Sequence, residues 1–138
     1  MYEKYLSYVI ILTSNQSGDL MPKIKVEISL ETSNIKENYQ TNAYLKENII
    51  TYYEKNHNKT KTTYNYKDNL LIRNNEEIFL KYKFNLKEPT IGSLKVNKLN
   101  KVIDIPIKTK LLQTKNENVN IIFEIPENTI KYKIEVIK

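Results

Sequence analysis

Among the side chains of this 138-residue chain that could do chemistry, Arg73 stands apart, because twenty-two residues are Lys or Arg and it is the one arginine. A guanidinium presents its donors in a fixed plane and can hold a carboxylate or several carbonyls at once, which a lysine ammonium cannot imitate. The chain favours Lys, Asn, Ile and Tyr, the amino acids of AT-rich codons, so an arginine retained against that bias marks a place where a point charge does not serve. Its first expected role is structural: tying a strand end by bonding backbone carbonyls or stacking on a tyrosine. Its second is gripping an anionic group at the entrance of a cavity.

Tyrosine is the other population of interest, with eleven residues. Tyr64, Tyr66, Tyr82 and Tyr132 lie on the apolar faces of alternating segments, where their rings either pack a core or line an interior with hydroxyl groups. Together with Arg73 they form the candidate ligand-binding set. The residues offer little else. Cysteine is absent, which removes disulfides, thiolate metal sites and thiol nucleophiles. His57 is the single histidine and sits in the turn-like KNHNK, so imidazole pairs and multi-histidine metal sites are excluded. Gly18 and Gly92 are the only glycines, too few for a phosphate-cradling loop. Glu76 and Glu77 flank a turn, where solvation outweighs acid–base work. One combination, Tyr53 with Glu54 and Arg73, is of a type an enzyme could use. The expectation is nonetheless a non-enzymatic protein without metal or cofactor.

The net charge is +6 and the isoelectric point about 9.3. The lysines are scattered, alternate with Glu and Asn, and form no long block. With one arginine for planar phosphate contacts, a nucleic-acid-binding face is not expected, although weak, salt-sensitive attraction to polyanions follows from the charge.

These residues are positioned by strands. KIKVEISLE (23–31), EIFLKYKFNL (77–86), NVNIIFEI (118–125) and TIKYKIEVIK (129–138) alternate apolar and polar side chains, the period of a strand with one buried face. YQTNAYL (39–45), NIITYYE (48–54), TKTTYNY (60–66), NLLIR (69–73), GSLKVNKL (92–99) and VIDIPIKTKL (102–111) are further candidates. Asn- and Asp-bearing turns separate them: KNHNK, KDN, RNNEE, KNEN and PEN. Asn is expected at the left-handed positions that the missing glycines would fill. Pro106 inside a strand-like run points to a break or an edge. Helical periodicity is nearly absent. Residues 2–13 read as a strand, and 15–22 as a linker. The apolar LSYVIIL (6–12) lacks the charged flank and small-residue cleavage site of an export signal and is too short to span a bilayer, so a cytoplasmic protein is expected.

Eight to ten short strands joined by hairpins give an all-β antiparallel meander. Closing it into a barrel removes exposed edges, and a two-sheet sandwich is the alternative. Residues 1–20 are read as an extension and linker, and residues 21–138 as one β-barrel domain.

The order of YYEK (52–55), TKTTYNY (60–66), LLIRNN (70–75), FLKYKF (79–84) and IGSLKV (91–96), followed by the closing strands NVNIIFEI (118–125) and IKYKIEV (130–136), resembles the YwiB-like family of small bacterial proteins. The matching features are Tyr52, Tyr53 and Glu54 at the end of a Tyr-rich strand and Thr60, Thr62 and Thr63 on the next. Arg73 with Asn74 and Asn75 then ends a strand in a turn, Phe84 closes another, and Gly92 opens the one after it. The likeness spans roughly residues 23–137. It departs from the family in lacking a glycine after Arg73, and its connection over 85–91 is shorter. The resemblance implies a lipocalin-like (calycin) barrel and names no activity. By fold analogy the first expected function is binding of a small apolar or amphipathic molecule inside the barrel. The second is an interaction module that offers its outer surface or barrel mouth to a protein or nucleic-acid partner.

Overall fold

The computed structural model describes residues 22–55 and 59–137; the expected N-terminal strand, the linker and His57 lie outside the described residues. The described residues form ten strands: β1 (Lys23–Glu31), β2 (Lys36–Lys46), β3 (Ile49–Tyr53), β4 (Lys61–Asn65), β5 (Leu70–Asn74), β6 (Ile78–Lys83), β7 (Thr90–Val96), β8 (Lys101–Lys115), β9 (Asn118–Ile125) and β10 (Asn128–Ile137). Each pairs antiparallel with its sequence neighbour, and β1 pairs with β10, so one closed ring results rather than two stacked sheets. The one helical element among the described residues is a single 3-10 turn, Asn97–Leu99, between β7 and β8.

Alternation decides which side chains turn inward. Val26 and Ile28 of β1, Ile50 and Tyr52 of β3, Val119, Ile121 and Phe123 of β9, and Ile130, Tyr132 and Ile134 of β10 are all buried. Lysines and glutamates occupy the intervening positions of β1 and β10. Burying a large apolar or aromatic side chain is worth roughly 1.5–3 kcal/mol, and a one-residue slip would turn each of these strands inside out.

The hairpins show how glycine is replaced. Lys115 pairs with Asn118, and Asn116 and Glu117 between them both have positive φ (52° and 66°), as a type I′ turn requires. Asn69 and Asn100 also adopt positive φ, as expected for Asn; Glu47 and Glu127 do so too, which composition alone does not signal. Gly92 is needed for space rather than for its torsions. A Cβ there would lie 2.7 Å from the Lys81 carbonyl oxygen and 2.9 Å from both Ile107 and Tyr82, so the bare backbone lets the Tyr82 ring lie against the wall.

Pro106 does not break its strand. β8 runs through it, and its irregularity comes later, as a bulge between Thr109 and Leu111. The first pair of β8 with β9 is Lys108 with Glu124, whereas Lys101–Ile107 pair with β7 alone. Pro106 therefore occupies a stretch with one open side, where a missing N–H is tolerated.

Candidate functional site

The ends of the barrel differ. One end carries the 46–49, 66–70, 84–90 and 115–118 connections. The other carries the 31–36, 53–61, 74–78, 96–101 and 125–128 connections, and the polar cluster around Arg73 lies there. Arg73 on β5 pairs with Thr62 on β4, which pairs with Tyr52 on β3. All three point inward. Glu54, just past the end of β3, is set by its N–H donating to the Thr60 carbonyl at 2.8 Å. Its carboxylate then receives Arg73 in a two-pronged grip, Nε to Oε2 at 2.7 Å and Nη2 to Oε1 at 2.8 Å. The Thr62 hydroxyl donates to the same Oε2 at 2.6 Å. The Glu54 side chain keeps 9% of its surface and that of Arg73 30%. The hydrogen bonds to Glu54 raise the guanidinium pKa, partly opposed by burial. This is the geometry a planar fork makes and an ammonium does not. The arginine ties the end of β3 to β5 across β4, through a carboxylate rather than through backbone carbonyls.

Beside this pair the Tyr52 and Tyr132 hydroxyls meet at 2.5 Å in a fully buried contact. Burial drives both pKa values well above the ordinary phenol range. Tyr39 of β2 is pushed up to about 12, by burial first and by the Glu54 charge second. Among the described residues no buried side-chain nitrogen or oxygen lacks a hydrogen-bond partner.

The remaining candidate tyrosines are dispersed. Tyr64 is fully buried, donates to Asn69 Oδ1 at 2.9 Å and meets Tyr66 edge-on, with ring centroids 5.4 Å apart. Tyr66 donates to the Glu117 carbonyl at 2.6 Å, toward the opposite end of the barrel from Arg73. Burial raises the pKa of both hydroxyls. Tyr82 packs edge-on against Phe84 and Phe123, with centroids 6.3 and 5.3 Å away. Tyr132 bonds Tyr52 at the Arg73 end, and Tyr82 lies near enough to Arg73 for the guanidinium charge to oppose the burial that raises the Tyr82 pKa. The structure thus distributes Tyr64, Tyr66, Arg73, Tyr82 and Tyr132 along the barrel and does not gather them into one pocket.

Three of these contacts cross the lumen. Tyr52–Tyr132 joins β3 to β10, Tyr82–Phe123 joins β6 to β9, and Tyr66 joins the end of β4 to the β8–β9 turn. None of these elements are neighbours in the ring. Side chains therefore bridge the interior at both ends and in the middle. Two surface concavities lie elsewhere. One, of about 580 Å³, runs between the β1–β2 and β9–β10 turns and is lined by Glu31, Ser33, Glu127 and Asn128 among others. The second, about 300 Å³, involves β1, β2, β9 and β10 and includes Tyr132. Tyr64, Tyr66, Arg73 and Tyr82 line neither.

The enzyme-like trio does not converge: Tyr53 faces outward and is 51% exposed, while Glu54 and Arg73 pair inside. No cluster of His, Asp or Glu among the described residues is arranged to hold a metal ion. Sequence reading did not place Tyr39, Tyr52 or Thr62 among the candidate site residues, although Tyr52 and Thr62 figure in the family resemblance. The signal for Tyr52 and Thr62 was present, since each lies two residues from another inward side chain, Ile50 and Tyr64.

Sequence reading named the outer surface as an alternative interaction face without picking out its residues. Exposed large apolar residues occupy outward strand positions at Ile49 and Tyr53 (β3), Phe79 (β6), Ile91 (β7) and Val102 (β8), and none of them lies on β9, β10, β1 or β2. Among the described residues no helix is long and apolar enough to cross a membrane.

No protein-family model matches the chain, and no curated protein matches it significantly. Among solved structures it is similar to the crystal structure of the ywiB protein from Bacillus subtilis, with a TM-score of 0.53 and 18% identity over 84% of this chain and 91% of that one. The likeness is one of barrel fold.

Proposed function

We propose that the protein is a non-catalytic interaction module that engages a macromolecular partner through the outer wall formed by β3 to β8. One observation carries this reading: its exposed large apolar strand residues other than the mouth residue Ile103 are segregated onto that wall, with Tyr53, Ile91 and Val102 at 51%, 65% and 59% exposure. Water-exposed apolar side chains gathered on one face are the ordinary mark of an interaction site. The first expectation, a ligand held inside the lumen, loses support from the side chains that bridge it. The hydroxyls of Tyr64, Tyr66 and Tyr132 are already bonded within the protein.

Native mass spectrometry of the chain purified from its own host tests this reading. A complex larger than the 16.4 kDa chain is expected. It should be lost in Phe79→Ser/Ile91→Ser and kept in a variant of the opposite wall, Lys25→Gln/Lys131→Gln. Recovery of the bare chain alone, or of a complex indifferent to the wall substitutions, would overturn it.

A second reading rests on the mouth near Arg73. Ile103 points inward from β8 yet is 42% exposed, because its strand overshoots β9, and Leu80 and Leu94 beside it are only half-buried. An amphipathic small molecule would find apolar contact there next to the open surface of Arg73. A bound mass of a few hundred daltons, lost in Ile103→Ser, would favour this reading over the first.

A further inference from the structure

The barrel register places the residues of the outer wall in rows that cross the strands. Tyr53 pairs with Lys61, Lys61 with Asn74, Asn74 with Phe79, and Phe79 with Lys95. These residues share the outward face, so an aromatic ring and a lysine alternate along one line, with an asparagine amide at its centre. At the usual strand spacing Tyr53 and Phe79, three strands apart, are separated by roughly 14 Å. The next row carries Thr51, Thr63, Ile72, Lys81 and Ser93, and the third carries Ile49, Asn65, Leu70 and Lys83; Ile91 lies outward on β7, past the last β6–β7 pair, Lys81 with Ser93.

Charge is segregated in the same sense. The outward positions of β3 to β7 hold Lys61, Lys81, Lys83 and Lys95 and no carboxylate. Acidic residues border these positions: Glu47, Asp68, Glu76, Glu77 and Glu88 in the turns, and Asp104 outward on β8, paired with Ser93. On the opposite wall, by contrast, the lysines are interleaved with Glu27, Glu31, Glu124 and Glu135, and Lys133 lies 3.4 Å from Glu135. Lysines occur on both walls; what the fold sets apart on β3 to β7 is a group of lysines with no carboxylate at the outward positions between them.

We infer that this wall binds single-stranded nucleic acid, laid across the strands with bases on Tyr53 and Phe79 and phosphates beside Lys61, Lys81, Lys83 and Lys95. The inference rests on the wall reading above and names its partner. Rings stack on bases of any sequence, and a basic surface tracks the backbone without reading it, so point charges suffice and the scarcity of arginine is no obstacle. A bilayer surface fits less well. Tyr53 and Phe79 are held apart by Lys61 and Asn74, and in the row beneath them Ile72 is flanked by Thr51, Thr63, Lys81 and Ser93, so the face offers separate rings rather than one continuous apolar patch. An acidic peptide would neutralise the lysines but leave the rings without a planar partner.

Fluorescence anisotropy of a labelled oligouridylate of about twelve nucleotides, within the usual footprint of such surfaces, tests this on the full chain. Binding is expected at about 50 mM salt and should weaken toward about 200 mM, with a log–log slope near −2 to −3 for about four phosphate contacts. Tyr53→Ala and Phe79→Ala should each weaken binding by about fivefold or more. Lys81→Gln and Lys95→Gln should each flatten the slope by roughly 0.7. Lys25→Gln and Lys131→Gln, on the other wall, should change neither quantity. Circular dichroism confirms that each variant is folded.

Absence of binding at low salt, or aromatic variants that bind as the parent does, overturns the inference. So does binding to phosphatidylserine vesicles in place of the oligonucleotide, if it is lost in the same variants. Failure here alongside a wall-dependent protein complex in native mass spectrometry removes the nucleic acid and leaves the wall reading standing. A native complex indifferent to the wall removes both.

Discussion

Replacing Arg73 by Met tests whether the guanidinium holds the Glu54 end of the barrel together. The substitution leaves a carboxylate that is 9% exposed with the Thr62 hydroxyl but without its counter-charge. Breaking a fully buried pair costs about 3–5 kcal/mol. Arg73 is not fully buried, and with 30% of its surface open to water a screened figure of about 2–3 kcal/mol is expected. In urea, with a dependence of about 1.5–2 kcal/mol per molar, the unfolding midpoint should fall by roughly 1–2 M at an unchanged slope. Arg73→Lys keeps the charge but cannot span both carboxylate oxygens, so roughly half of that loss is expected. The double variant Arg73→Met/Glu54→Gln removes both charges and should recover most of the stability, giving a coupling energy of about 2 kcal/mol. Two results would refute the reasoning: Arg73→Met costing less than about 0.5 kcal/mol, or a double variant equal to the sum of the singles.

The buried Tyr52–Tyr132 contact gives an asymmetric expectation. Tyr52→Phe leaves the Tyr132 hydroxyl without its partner and should cost about 1–3 kcal/mol, whereas Tyr52→Phe/Tyr132→Phe should cost less than the single change; chemical denaturation of the three proteins decides it. Alkaline pH should unfold the barrel cooperatively. The folded pKa values of Tyr52 and Tyr132 lie above the unfolded value of about 10, so their contribution is intact below that pH and is lost as pH rises past it. Each contributes a limiting slope of about 1.4 kcal/mol per pH unit, and Tyr39, Tyr64, Tyr66 and Tyr82 add in the same direction. Far-ultraviolet circular dichroism unchanged from pH 9 to pH 12 would contradict this.

Alternation along single strands was enough to place Val26, Ile28, Ile121 and Phe123 inside and the lysines of β1 and β10 outside. That is why an all-β meander closed into a barrel could be read before any coordinates. Burial of one face is a local property with a period of two residues, so the sequence carries it directly. What stayed hidden depends on register between strands. Arg73 and Glu54 are nineteen positions apart, and nothing in either segment says that β4 will slide Thr62 between them. The expected structural partner of the arginine was a backbone carbonyl or a tyrosine ring, and Glu54 stood beside it only in the enzyme-like trio; register made that carboxylate the structural partner. Pro106 is similar, since whether it breaks a strand or sits on an open side depends on where β9 ends.

The same distinction explains why the lysines were discounted. Spread between residues 61 and 95, Lys61, Lys81, Lys83 and Lys95 look like background in a chain that uses lysine almost everywhere. Parity along each strand puts them all outward, which the sequence shows. Only the stepwise pairing of β3 through β7 brings them onto one face, and only that pairing inserts Tyr53 and Phe79 in line with Lys61 and Lys95. A codon bias toward lysine raises the number of positive charges, but it has no means of excluding carboxylates from the outward positions of five consecutive strands while retaining them on the opposite wall. That asymmetry is the observation on which the proposed surface role rests. It is a property of the closed ring, because in an open sheet of different register the same lysines would meet different neighbours.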